Sequence, residues 1–172
     1  WFGPTVGLGG IGPINEDWLS VGGGDGFMCR VDPNDPDLVY SESQDGSISR
    51  RNVRTGERAG IRPRPPDGAP PYRFNWNTPF ILSGANSRIF YSAGNFVFRS
   101  LDRGNNLQAV SPEITLTKWG SATALAESPR NPDVLYVGTD DGALWVTRDG
   151  AKTWTNLTQN VGPPKPRWVA SV

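Results

Sequence analysis

Any chemistry in this chain has to proceed without histidine. None of the 172 residues is His, which removes a Ser-His-Asp triad, an imidazole general base and His metal ligands together. Cys29 is the single cysteine, so no intrachain disulfide and no CxxC motif is available. It lies in the strand-like run Phe27-Met28-Cys29-Arg30-Val31, and the expectation is a buried, structural thiol. Acid–base work is left to carboxylates, and the candidates are Asp25, Glu42, Asp45, Asp140 and Asp141. Two carboxylates facing each other across a cleft are what glycoside hydrolysis requires. One donates a proton to the leaving oxygen and the other acts as base or nucleophile.

Asp25 is the catalytic candidate that stands out from the set. It sits in Val21-Gly22-Gly23-Gly24-Asp25-Gly26-Phe27, where a backbone without side chains admits a ligand closely. The stronger reading of the same run is a tight crossing with Asp25 capping its turn, so no catalytic residue is assigned. The run is no phosphate loop, because the Lys-Ser/Thr of that motif does not follow it. Glu42 and Gln44, just past an apolar strand, are candidate ligand contacts. Trp76 lies between Asn75 and Asn77, and an aromatic face flanked by amides suits a sugar ring as well as a core. No metal set and no cofactor is expected.

These residues must be positioned by many short elements. Gly and Pro exceed a fifth of the chain, against roughly 12 % in ordinary proteins. Seven Trp, seven Phe and four Tyr argue against disorder, which leaves strands joined by tight turns. The formal charge is zero, with 17 basic and 17 acidic residues, so no nucleic-acid partner bound by bulk charge is expected. No apolar stretch approaches the roughly 18 residues of a membrane span.

The chain repeats. Asp32-Pro33-Asn34-Asp35-Pro36-Asp37-Leu38-Val39-Tyr40 and Ser128-Pro129-Arg130-Asn131-Pro132-Asp133-Val134-Leu135-Tyr136 share a Pro-bearing turn and an apolar strand ending in Tyr. Ser83 to Tyr91 is the same unit without the prolines. The tyrosines are 51 and 45 residues apart, near the period of a propeller blade, roughly 40–50 residues. Each unit continues into a hairpin turn: Gln44-Asp45-Gly46, Gly94-Asn95 and Asp140-Asp141-Gly142. Turn geometry therefore explains Asp45 and Asp141 better than chemistry does.

A second turn follows each hairpin. Thr147-Arg148-Asp149-Gly150-Ala151-Lys152-Thr153-Trp154 resembles the Asp box of the BNR-repeat and sialidase-like propellers, Ser/Thr-x-Asp-x-Gly-x-Thr-Trp, with Ala151 where the pattern has Gly. Ser100-Leu101-Asp102-Arg103-Gly104-Asn105-Asn106-Leu107 is a second copy, and Asn52 to Gly56 a degenerate one. The box is a structural device. Its Asp and Ser/Thr oxygens accept backbone N–H groups inside the turn, and its Trp covers the neighbouring sheet. Ser100, Asp102, Gly104, Thr147, Asp149, Gly150 and Trp154 are accordingly read as structural, with Asp102 and Asp149 as staples of their turns.

A closer likeness is carried by Val21 to Phe27, Val39-Tyr40-Ser41-Glu42-Ser43-Gln44, Phe74-Asn75-Trp76-Asn77 and Val137-Gly138-Thr139-Asp140-Asp141-Gly142. Together they look like the large bacterial WD40/YVTN/BNR-like-repeat, sortilin-N-terminal-like proteins, often labelled glycosyl hydrolases. That resemblance implies an all-β propeller segment of about three four-stranded blades, part of a ring of roughly six to eight blades. It also implies export to the periplasm, the cell surface or the medium of a bacterium. The expected organisation is a tail of a preceding blade with its connecting loop (1–25), a blade (26–63), a Pro-rich linker (64–73), two blades with boxes (74–113 and 119–160) and the start of another blade (161–172).

Three blades leave two open edges, and only closure removes edges. The expected partners are thus other blades of the same protein or another chain covering those edges, with a glycan as a further partner class. The expected function is a binding or structural module of a larger exported protein. The alternative is a fragment of a BNR-repeat glycoside hydrolase that contributes part of a carboxylate site.

Overall fold

The computed structural model describes residues 1–7, 12–161 and 168–172. Its strands form three antiparallel four-stranded sheets, each in chain order. The first holds β1 (Cys29–Asp32), β2 (Asp35–Ser43), β3 (Ser47–Asn52) and β4 (Arg58–Gly60). The second holds β5 (Phe80–Leu82), β6 (Phe90–Ala93), β7 (Val97–Ser100) and β8 (Gln108–Ala109). The third holds β9 (Ala122–Ser128), β10 (Asn131–Thr139), β11 (Leu144–Thr147) and β12 (Thr155–Asn156). Among the described residues no helix is long and apolar enough to cross a membrane.

The tyrosines set a common register. Tyr40 lies between Arg30 and Arg50, Tyr91 between Ile81 and Arg99, and Tyr136 between Ala126 and Val146. Because side chains alternate along a strand, the residues before and after each Tyr point the other way. Tyr40 stacks on Phe90 at 5.8 Å, and Phe90 on Phe80 at 5.6 Å. With Leu38, Ile48 and Ile61 these close the core between the first two sheets. Tyr91, Val97, Leu125, Leu135 and Val137 close the core between the second and third. Each such buried side chain contributes on the order of 1.5–3 kcal/mol. Tyr40 and Tyr91 therefore face the sheet that follows, and the register turns Tyr136 the same way. Tyr40 and Tyr91 are 0 % and 4 % exposed, whereas Tyr136 is only half-buried.

The same register corrects the expectation for Cys29, which is exposed. Cys29 pairs with Ser41 as Phe80 pairs with Ser92 and Leu125 with Val137. Phe80 and Leu125 are buried because the preceding sheet covers them. Among the described residues no sheet covers that face of the first sheet. The local apolar pattern is thus a true core pattern whose covering layer belongs to the neighbour.

The linker between the first two sheets contains no strand, yet it is packed. Tyr72 lies 4.7 Å from Phe98, ring to ring, and the Arg62 guanidinium sits 5.0 Å over the Phe74 ring. Of the segment read as the start of another blade, 162–167 lie outside the described residues. Beyond them, Val169 donates its N–H to Thr139 at 3.0 Å, and its carbonyl accepts from the Thr123 hydroxyl at 2.8 Å.

Candidate functional site

Four antiparallel strands per sheet place the β2–β3, β6–β7 and β10–β11 hairpins at the same end as the connections between sheets. The non-repeating candidates gather at this end, around the first hairpin. A short 3-10 turn, Gln44–Gly46, caps that hairpin. Asp45 donates its N–H to the Trp76 carbonyl at 3.2 Å, which fixes the incoming crossing. Trp76 is 55 % exposed and meets Phe27 edge-on at 6.4 Å. One wall of the aromatic pair thus comes from each of two crossings.

Glu42 lies beneath this surface, 2 % exposed. Its Oε1 accepts the Thr78 N–H at 3.2 Å, and its Oε2 has no partner among the described residues. Burial pushes its carboxyl up to about 7, against the opposing pull of backbone N–H bonds, Thr78 first. The register explains how a large acid fits here. Two residues after the tyrosine, the other sheets carry Ala93 and Gly138, and a Cβ on Gly138 would meet Val169 at 2.3 Å. In the first sheet the crossing leaves room for a carboxyl, where in the third Val169 fills the space.

Asp25 is exposed in the turn at Gly24 and Asp25. It lines a cleft of about 350 Å³ together with Trp1, Phe27, Met28, Ser41 and Glu42. Gly24 has φ +71°, and a Cβ there would meet the Ser43 Oγ at 2.1 Å, so the close crossing itself requires this glycine. Gln44 is half-buried and its Oε1 accepts from the Ser43 hydroxyl. The structure thus brings Asp25, Glu42 and Trp76 to one region and ties Gln44 into its own turn. Asp140 adjoins this region, held by Ser121 and by Asn75, the residue before Trp76, and Asp141 accepts from Leu116, Thr117 and the Thr117 hydroxyl.

At the opposite end, the 147–154 turn is organised by Thr147, Asp149 and Trp154, and the Thr147 hydroxyl accepts the Ala151 N–H at 3.0 Å. The Asp149 carboxylate accepts N–H bonds from Lys152 and Thr153 at 3.1 and 2.9 Å and the Thr153 hydroxyl at 2.6 Å. Those bonds, the Thr153 hydroxyl first, hold it down at about 2. Trp154 donates its indole N–H to Val110 at 2.7 Å and packs against the core between sheets. In the 100–107 turn the Ser100 hydroxyl does this work, accepting from Asp102 and Gly104 at 3.0 and 3.1 Å. Asp102 accepts the Asn105 amide inside the turn at 3.0 Å and pairs outward with Arg88 at 2.9 Å, and Asn106 stands where Thr153 would supply the hydroxyl.

Residue-by-residue reading of the sequence missed Arg50 and Arg99. Arg50 donates to the carbonyl of Arg103 and Arg99 to that of Gly150 at 2.8 Å. Both acceptors occupy the fourth position of their turns. The signal was available, since each arginine lies within two residues of the start of its turn. Hairpins of unequal length hid the equivalence.

The chain matches no protein-family model and no curated protein sequence. Solved structures do resemble it. An ancestral GH74 enzyme superposes with TM-score 0.55 at 16 % identity, over 78 % of this chain and 18 % of that one. The GH74 xyloglucanase from Xanthomonas campestris gives TM-score 0.56 at 18 % identity, over 80 % and 23 %. The extracellular domain of a protein described as a one component system from B. thetaiotaomicron gives 0.58 at 14 % identity, over 85 % and 18 %. The chain is a partial β-propeller. Its three sheets are blades, and they span about a fifth of these relatives' length. At such identities the likeness carries the fold alone.

Proposed function

We infer that this chain is a binding or structural module of a larger exported propeller protein, with its crossing face turned to a glycan or protein partner. The observation that carries the reading is Tyr136. Its counterparts Tyr40 and Tyr91 are sealed by the next blade, while Tyr136 is half-buried at the end of the array. Such a face fits against a further blade or another chain. On the crossing face Trp76 is exposed beside two asparagines, an arrangement suited to stacking on a sugar ring. The extracellular domain and the xyloglucanase among the similar folds support export and a polysaccharide setting. Affinity electrophoresis on a panel of soluble polysaccharides tests the glycan half. Retardation that Trp76→Ala abolishes supports it, and no retardation on any polysaccharide removes it.

A glycosidase reading stands second, on one observation. Asp25 lines a cleft that Glu42 borders, with the Glu42 carboxyl buried beneath it against Thr78, and Glu42 carries the raised affinity for a proton that a general acid needs. Hydrolysis of a polysaccharide lost in both Asp25→Asn and Glu42→Gln would favour it. Activity that survives either change would exclude that pair.

A further inference from the structure

The face of the first blade turned away from the second differs in kind from the matching faces of its neighbours. Register identifies the positions. Where the second blade places Phe98 and the third Trp145, the first has Ser49. Where the others place Leu107 and Trp154, which pack onto the blade before them, the first has Arg58, one residue ahead of the strand positions that match. Arg51 lies directly opposite Arg58 across the β3–β4 pair. Two guanidiniums remain charged at any physiological pH, and like charges directly opposite each other in a sheet repel.

No counter-charge relieves them. Among the described residues no carboxylate lies within ion-pair distance of Arg51 or Arg58, and segments 8–11 and 162–167 contain no Asp or Glu. Arg51 donates through Nη1 to the Ser20 carbonyl, while its buried Nε has no partner among the described residues. Among the described residues Arg58 reaches only the Ser49 hydroxyl, at 3.4 Å. Arg58 lines a cleft of about 250 Å³ with Ser41, Ser43, Ser47, Ser49 and the backbone of Gly22 and Gly23. Glu42 also borders it, but its carboxyl is turned to Thr78.

We propose that this cleft binds an oxyanion, held by Arg58 and by the Ser47 and Ser49 hydroxyls that line it, with Arg51 across the strand pair adding its charge from beside the cleft. Guanidinium forks match the paired oxygens of carboxylate, sulfate and phosphate, and hydroxyls donate to the remaining lone pairs. The bound group neutralises the Arg51–Arg58 repulsion, and it replaces the aromatic packing by which the other blades seat on their predecessors. An acidic side chain and a free phosphate or acidic sugar share this chemistry.

The test titrates the 172-residue chain with sodium phosphate, sodium sulfate and sodium acetate in turn, at constant ionic strength. It follows heat of binding and the thermal unfolding midpoint. Saturable binding is expected, with a midpoint that rises as binding to the native state requires. Arg58→Leu, which installs the residue of the second blade, weakens binding about tenfold or more, the loss of one charge-assisted hydrogen bond. The same variant unfolds no lower than the parent chain without anion, so the loss is not a folding failure. Saturation by acetate as well as by phosphate assigns the cleft to carboxylates, including acidic side chains. Saturation by phosphate or sulfate alone assigns it to tetrahedral anions. Absence of saturable binding by all three anions overturns the proposal. A midpoint rise equal in Arg58→Leu does so too, since it reports only the general exclusion of such salts from protein surfaces.

Discussion

Ala151 holds in the third blade the left-handed backbone conformation that Gly104 holds in the second. Their φ angles are +67° and +91°, at the same position of equivalent turns. The residue before each is left-handed as well: Gly150 at φ +68° and Arg103 at φ +55°. Each turn thus needs two consecutive left-handed residues, and each has glycine at only one of them, on opposite sides.

Ala151→Gly is expected to stabilise the chain by up to about 1 kcal/mol. Relief of the left-handed strain gives about 1–2 kcal/mol, and the lost methyl, buried between blades, removes about 0.8 kcal/mol. Gly104→Ala goes the other way by about 2 kcal/mol or more, since its Cβ would also lie 2.7 Å from Ile61 Cδ1. Urea unfolding of the two variants checks the signs, and a loss in Ala151→Gly would contradict the strain.

Removing an inter-blade arginine loosens its junction. Arg99→Ala deletes the bond to Gly150 and Arg50→Ala the bond to Arg103, each expected to lower stability by about 1–3 kcal/mol. Val146 occupies the matching place in the third blade, so Val146→Ala should act through packing alone. Hydrogen exchange resolves the two cases. The arginine variants expose the turns of the following blade, and protection unchanged at 100–107 in Arg50→Ala would refute the junction.

Glu42 makes stability depend on pH. Its folded carboxyl binds its proton up to about pH 7, whereas an unfolded glutamate releases it near 4.5. Between those values the native state holds the extra proton, so stability declines as pH rises from about 4.5 to about 7 and then levels. Glu42→Gln keeps the oxygen that accepts from Thr78 and should flatten that slope. Asp149 has the opposite sign. Its depressed value leaves its contribution present above pH 3.8 and lost as pH falls towards 2. Chemical denaturation across pH 2–8 separates the two, and an unchanged slope in Glu42→Gln would remove Glu42 as its source.

Cys29 should react with a thiol reagent in the native chain as one accessible equivalent, because it is exposed on a face that no described sheet covers. Ellman titration without denaturant measures it. A thiol that reacts only after unfolding would show that face to be covered.

Sequence by itself determined the repeat, the three four-stranded units, and the turn chemistry at Asp149, Thr153 and Ser100. All of these are local, since an Asp four residues before a Thr finds its partner within one turn wherever that turn lies. Sequence also singled out Asp25, Glu42, Gln44 and Trp76 as candidates, with Gly22 to Gly26 and Trp76 outside the repeat. Only tertiary structure decided what those residues meet. Alternation along a strand is blind to which neighbour covers which face, so Cys29 and Phe80 look alike until one blade is seated on another. The opposition of Arg51 and Arg58 depends on the β3–β4 register, while the buried carboxyl of Glu42 and the reach of Arg99 to Gly150 depend on how far one sheet stands from the next. That spacing is set by side chains about 40–50 residues apart, and no local pattern records it.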